Sequence, residues 1–160
     1  MGYNASVRCT CWERGLTKLC PYPVEYVRLF DEIDMPELYL PGGTPTEDAI
    51  AFDRWVFDCC AHEDMELVSV HIGNIATMGH FRHALHSATG EKLQALRDAL
   101  PETNSGRSEP GMAALCLKSL DAFQASPEYL GDPAGYDYSC DALRQVFTAS
   151  VQTGRPVVWS

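Results

Sequence analysis

"CCAHEDMELVSVHIGN", residues 59–74, decides how this chain folds. It opens on two adjacent thiols, runs through His62 and a series of carboxylates, and ends with Leu67, Ser69 and His71 at a spacing of two. That spacing fits a short half-buried strand. The reading favoured here is instead the start of a helix that runs on through "NIATMGHFRHALHSATG", 74–90, with Gly90 as its stop.

Working backward, "PGGTPTEDAIAFDRWVFDCC", 41–60, holds a helix start: Thr44 as N-cap, Pro45 at the first helical position and Glu47 closing a capping box. Ile50, Trp55, Val56, Cys59 and Cys60 then follow at roughly helical spacing, with Cys59 one turn beyond Trp55. Val27 and Leu29, then Leu38 and Leu40, flank "DEIDMPE" as a β-hairpin with an acidic tip. Tyr3, Ala5, Val7, Cys9 and Cys11 alternate with polar neighbours as a strand would. Gly15 marks a turn and "CPYP", 20–23, ends regular structure.

Working forward, a short helix is expected around Leu93, Leu96 and Leu100, then a loop over 101–111. A helix burying Leu115, Cys116, Leu120 and Phe123 follows, and a second long loop, "SPEYLGDPAGYDYS", covers 126–139. The last helix is expected from Ser139 as N-cap through Leu143, Val146, Phe147, Ser150 and Val151, with Gly154 as its stop. "VVW", 157–159, then reads as a terminal strand paired with the N-terminal one, the alternative being a hairpin turning at "QTGR". The fold class is α+β: a small N-terminal antiparallel sheet, which the C-terminal strand can join, packed against four or five helices in a single domain over 1–160.

Charge is distributed unevenly. Between Glu25 and Glu66 twelve acids face only Arg28 and Arg54, so this segment alone carries the −10 of the whole chain. Such a field disfavours nucleic acid and anionic membrane and favours a basic protein partner. Asp31, Glu32, Asp34 and Glu37 at the hairpin tip, with Glu63, Asp64 and Glu66, are the candidate partner-binding residues, and Tyr39 or Trp55 the candidate anchors. No run reaches the ~18 apolar residues of a membrane span, and the N-terminus lacks the apolar core of a signal peptide, so the expected location is the cytoplasm.

Seven cysteines in such a compartment argue against a disulfide framework. They leave small buried hydrophobes, metal ligands, or a reactive thiol with a histidine base. Cys9 and Cys11 share a strand face, and a fold-back near Gly15 brings Cys20 opposite Cys9. Cys59, Cys60 or His62 could complete a zinc set. The spacing differs from the usual C-x₂₋₄-C pairs, which favours core packing for the thiols. His80, His83 and His86 are about 120° apart end to end on a helix and do not converge on one metal. No nucleotide-binding loop, hydrolase elbow or zinc-protease motif is present, so an enzyme would have to assemble a Cys/His pair through the fold.

"MGYNASVRCTCWERG", "WVFDCCAHEDMELVSVHIGN" and "ALPETNSG" together resemble a group of small, mostly uncharacterised bacterial cytoplasmic proteins with a C-x-C strand and a tryptophan helix ending in Cys and "HE-M". In size and acidity these are similar to immunity proteins that neutralise antibacterial toxins. The resemblance implies an acidic module that occludes a basic toxin domain, and it implies no catalytic residue. A zinc-stabilised structural module and a Cys/His-dependent enzyme are the alternatives.

Overall fold

A computed structural model describes residues 2–160. In chain order it contains β1 (Gly2–Arg8), a 3₁₀ turn (Val24–Tyr26), β2 (Val27–Phe30), β3 (Met35–Leu38), α1 (Thr46–Asp58) and a second 3₁₀ turn (Glu63–Met65). There follow β4 (Glu66–Asn74), α2 (Ile75–Ser87), α3 (Gln94–Ala99), β5 (Gly106–Ser108), α4 (Pro110–Gln124), α5 (Pro127–Gly131), α6 (Pro133–Thr153) and β6 (Val157–Trp159). The fold is α+β, and its N- and C-terminal strands share one sheet. The chain divides into two compact units, one formed by the strand up to Val7 with Val68–Ser160, the other by Arg8–Leu67.

In the first unit the strand order is β4-β1-β6-β5. β1 and β6 are antiparallel with Ala5 opposite Trp159, and β6 pairs antiparallel with β5, Ser108 opposite Val157. The alternation of β1 puts Tyr3, Ala5 and Val7 inside. Together with Phe81, Leu120, Phe123, Leu143, Val146, Phe147 and Trp159 they are buried among the helices, with Phe81, Phe123 and Tyr136 in edge-to-face contact. Two buried polar groups of the sheet are paired: Trp159 Nε1 donates to Ser108 Oγ at 2.8 Å, and Ser108 Oγ to the Ala99 carbonyl at 2.7 Å. Among the described residues no helix is long and apolar enough to cross a membrane.

The second unit holds the hairpin, β2 antiparallel to β3 with Val27 opposite Leu38, and α1. Its core is thin. The buried members are Cys9, Cys11, Leu38, Phe52, Trp55, Val56, Cys59 and Met65, so three of the eight are thiols. Trp55 is flanked by Trp12 and Phe52, at ring distances of 5.5 and 5.4 Å.

Several expectations change. Residues 66–74 are a strand, and the helix begins after Asn74, whose side chain accepts from the Thr77 amide. Helix α1 starts one residue later than expected, with no side-chain cap. Thr44 instead accepts from the Leu40 amide and donates to the Leu38 carbonyl, tying the hairpin end rather than the helix. Strand β5 lies inside the expected loop at 101–111. The expected loop at 126–139 is two helix starts, each with Pro at the first turn and capped by Ser126 and Asp132. Ser139 is therefore buried inside α6 and donates to the Ile72 carbonyl at 3.0 Å. Leu115 and Ile50 are exposed rather than buried. Gly154 ends α6 in the left-handed conformation, as expected.

Candidate metal centre

Four donor atoms converge in the Arg8–Leu67 unit: the sulfurs of Cys9, Cys11 and Cys60 and Nδ1 of His62, all within 4.8 Å of one another. Cys9 Sγ lies 3.8 Å from Cys60 Sγ, Cys11 Sγ 3.4 Å from His62 Nδ1, and Cys60 Sγ 3.8 Å from the same nitrogen. With Zn–S near 2.3 Å and Zn–N near 2.0–2.1 Å, the edges of a tetrahedral site are about 3.8 Å for S···S and about 3.5 Å for S···N. The geometry is thus compatible with a Cys₃His zinc site. All seven thiols are free, and 3.8 Å is far from the ~2.05 Å of a disulfide.

Two short turns supply the ligands. Cys9 and Cys11 follow the end of β1. The chain then reverses through Arg14 N–H to the Thr10 carbonyl and Leu16 N–H to the Cys11 carbonyl, with Gly15 left-handed at φ 64°. Cys60 and His62 follow α1. The His62 amide faces Cys60 Sγ at 3.5 Å, the kind of N–H···S contact that steadies a thiolate. Immediately after His62, Asp64 and Met65 adopt φ of 51° and 56°. A buried methionine in that region is uncommon, and its strain is sustained by the surrounding structure. The Cys9 amide donates to the Met65 carbonyl at 2.7 Å, which locks the two ligand turns side by side.

Arg8 completes the setting, and nothing in the sequence marked it. It is 3% exposed, although strand parity would turn it outward. Its Nε contacts Asp34 Oδ2 at 3.3 Å, Nη2 contacts Glu13 Oε1 at 2.6 Å, and Nη1 donates to the Cys9 carbonyl at 3.3 Å. One guanidinium therefore fixes the hairpin turn, the Cys9–Cys11 turn and a ligand's own peptide. Burial pushes the Cys9 thiol up to about 12, so a metal entering the site must displace its proton.

Of the six candidate ligands, the structure gathers Cys9, Cys11, Cys60 and His62 and separates Cys20 and Cys59 from them. Cys20 is half-buried against the core and is not among the converging donors. Cys59 is 1% exposed beside Trp55 in the core, where burial pushes its thiol up to about 12. The readable signal was a repeat: C-x-C at 9–11 and C-x-H at 60–62 share one spacing, and both close pairs are 51 residues apart.

The acidic candidates differ in exposure. Asp31, Glu32, Glu63 and Asp64 are exposed, while Glu37 and Glu66 are half-buried. Glu37 accepts from the Tyr39 hydroxyl at 2.8 Å. Asp34 is 5% exposed and faces Arg8. Tyr39 is exposed and Trp55 buried. Outside this unit, His80 Nε2 lies 2.9 Å from the Tyr136 hydroxyl, and His83 and His86 are exposed on α2. Compared with known protein families, curated proteins and solved structures, the chain finds no match.

Proposed function

We propose that Arg8–Leu67 is a zinc-stapled structural module in which Cys9, Cys11, Cys60 and His62 hold one Zn²⁺. The observation that carries this reading is the convergence of four donor atoms within 4.8 Å of one another, three of whose separations, 3.4–3.8 Å, match the edges of a tetrahedral thiolate–imidazole site. Three further points support it. Four protein ligands close the coordination sphere and leave no position for a substrate, which is the structural rather than the catalytic pattern. The thiolates are soft donors suited to zinc. A unit of roughly sixty residues with five large apolar side chains in its core is of the size that small domains reinforce with a metal or disulfides.

The metal's task is then to hold the turn after β1 against the turn after α1, and so to fix the hairpin and the 12–24 loop between them. Elemental analysis of untagged protein tests this, with about one zinc per chain expected for so tight a site. Replacement by Co²⁺ should give the absorption of a tetrahedral, thiolate-ligated ion. Less than ~0.1 metal per chain, together with no cobalt spectrum after reduction and reloading, would overturn the reading.

A further inference from the structure

Three thiolates around one metal are a store of electrons as well as a ligand set. Resting on the zinc reading above, we propose that this centre is also an oxidation site, at which a hydroperoxide joins Cys9 and Cys60 in a disulfide and expels the metal. All three sulfurs lie within 4.8 Å of one another, and Cys9–Cys60 is the pair in hydrogen-bond geometry. Cys9 Sγ and Cys60 Sγ lie 3.8 Å apart, whereas Cys11 Sγ has His62 Nδ1 as its near neighbour at 3.4 Å. Cys60 is half-buried and reachable, and Cys9, 2% exposed, stands behind it. Cys59, Cys116 and Cys140 are at most 1% exposed, and none belongs to the cluster.

Cys60 is therefore the ligand oxidised first and Cys9 the resolving one. The Cys60 thiolate attacks the outer peroxide oxygen and the O–O bond breaks, giving a sulfenic acid and an alkoxide that takes a proton from water. The Cys9 thiolate then attacks the Cys60 sulfur, the S–S bond forms, and hydroxide leaves. In sum, two thiolates, one hydroperoxide and one water give a disulfide, one alcohol and two hydroxides, with two electrons passing from sulfur to oxygen. Only Cys11 and His62 remain to the metal, too few for a structural zinc site.

The consequence is specific to this topology. The new bond joins the same two turns that the metal joined, across the same separation of 51 residues. Oxidation exchanges one staple for another, so the oxidised unit loses its metal and keeps its fold. Chelation removes the staple outright. The same loss of metal should thus have two different structural outcomes, depending on how it is brought about.

The test uses the untagged, metal-loaded full chain and hydrogen peroxide. Released metal is followed with a chromogenic chelator, remaining thiols are counted, and peptides are mapped without reduction. Two of the seven thiols should disappear per metal released, the mapped cross-link should be Cys9–Cys60, and thiol reductant with zinc should reverse both. Cys20→Ser, outside the cluster, should behave as the parent does. Metal retained with all thiols intact overturns the proposal, as does release accompanied by a Cys11 disulfide or by over-oxidation of Cys60 without a cross-link. If the purified chain holds no metal and gives no cobalt spectrum after reduction and reloading, the zinc reading has failed by itself. Peroxide mapping of the metal-free chain then decides the oxidation site alone: a Cys9–Cys60 cross-link supports it and its absence overturns it.

Discussion

Stripping the metal from reduced protein should open the Arg8–Leu67 unit, and the size of the effect follows from its core. Below about 70–80 residues a single hydrophobic core rarely supplies more than about 3–5 kcal/mol. This one is poorer than most: Leu38, Phe52, Trp55, Val56 and Met65 are its large members, and thiols fill the rest. Structural zinc contributes an apparent ~10–16 kcal/mol at neutral pH, which exceeds anything that core can hold in reserve. Amide exchange read by mass spectrometry, before and after chelation under reducing conditions, is the direct assay. A loss of only ~3 kcal/mol is about two decades in the opening constant, so protection in α1 and the β2–β3 hairpin should fall at least ~100-fold. Helices α4 and α6 carry their own buried residues, Leu120, Phe123, Leu143 and Phe147, and should keep their protection. Adding zinc back should restore the difference. Protection in α1 that stays within a factor of about three after complete metal removal would refute the reasoning, because the thin core would then be sufficient.

Two further outcomes follow from groups already described. Arg8→Met should destabilise the Arg8–Leu67 unit by about 3–5 kcal/mol, since it leaves Asp34 buried without the guanidinium it faces; an unchanged urea midpoint for exchange in this unit would show that the ion pair is not needed. In the other unit, burial pushes the Cys116 and Cys140 thiols up to about 12, against 9.0 for an ordinary thiol. Folded, both keep their protons where the unfolded chain has lost them, so their contribution is complete below pH 9.0 and is lost as pH rises toward 12. Denaturation midpoints should accordingly fall across that range, and less so in a Cys116→Ala, Cys140→Ala double variant. In native protein near neutral pH both thiols should resist alkylation until the chain unfolds.

Much of the fold was written in local periodicity. Tyr3, Ala5 and Val7 alternate, "VVW" follows a glycine stop, and the two do pair in one sheet. The hairpin around "DEIDMPE" was equally plain. The errors come from residues that serve two structural purposes. Ser126-Pro127 and Asp132-Pro133 read as chain breakers inside a loop, yet cap-then-proline is also how a helix begins. Thr44 sits where an N-cap should, but the hairpin end at Leu38–Leu40 claims its hydroxyl first. Local pattern cannot rank such competitors, because the winning partner is set by tertiary neighbours.

The site was legible to a different degree in each of its parts. Four of the six candidate ligands do converge, and Cys20 and Cys59 stand apart for reasons that lie in the path of the chain. Arg8 was invisible, because a strand's parity points it outward, and Asp34 and Glu13, brought in by other turns, with the Cys9 carbonyl make its burial tolerable. What sequence could have shown is the matched pair C-x-C and C-x-H. A long, polar, acid-rich segment between two such pairs is costly to close without a large core, and closing a loop of this length lowers the unfolded chain's freedom by about 4 kcal/mol. A clasp is most effective where the core is weakest and the loop longest. Residues 9–11 and 60–62 stand at the two ends of that loop, so under the proposed zinc reading the excess of carboxylates and the cluster of thiols are two sides of one arrangement: the first leaves the segment a thin core, and the second, with its metal, would reinforce it.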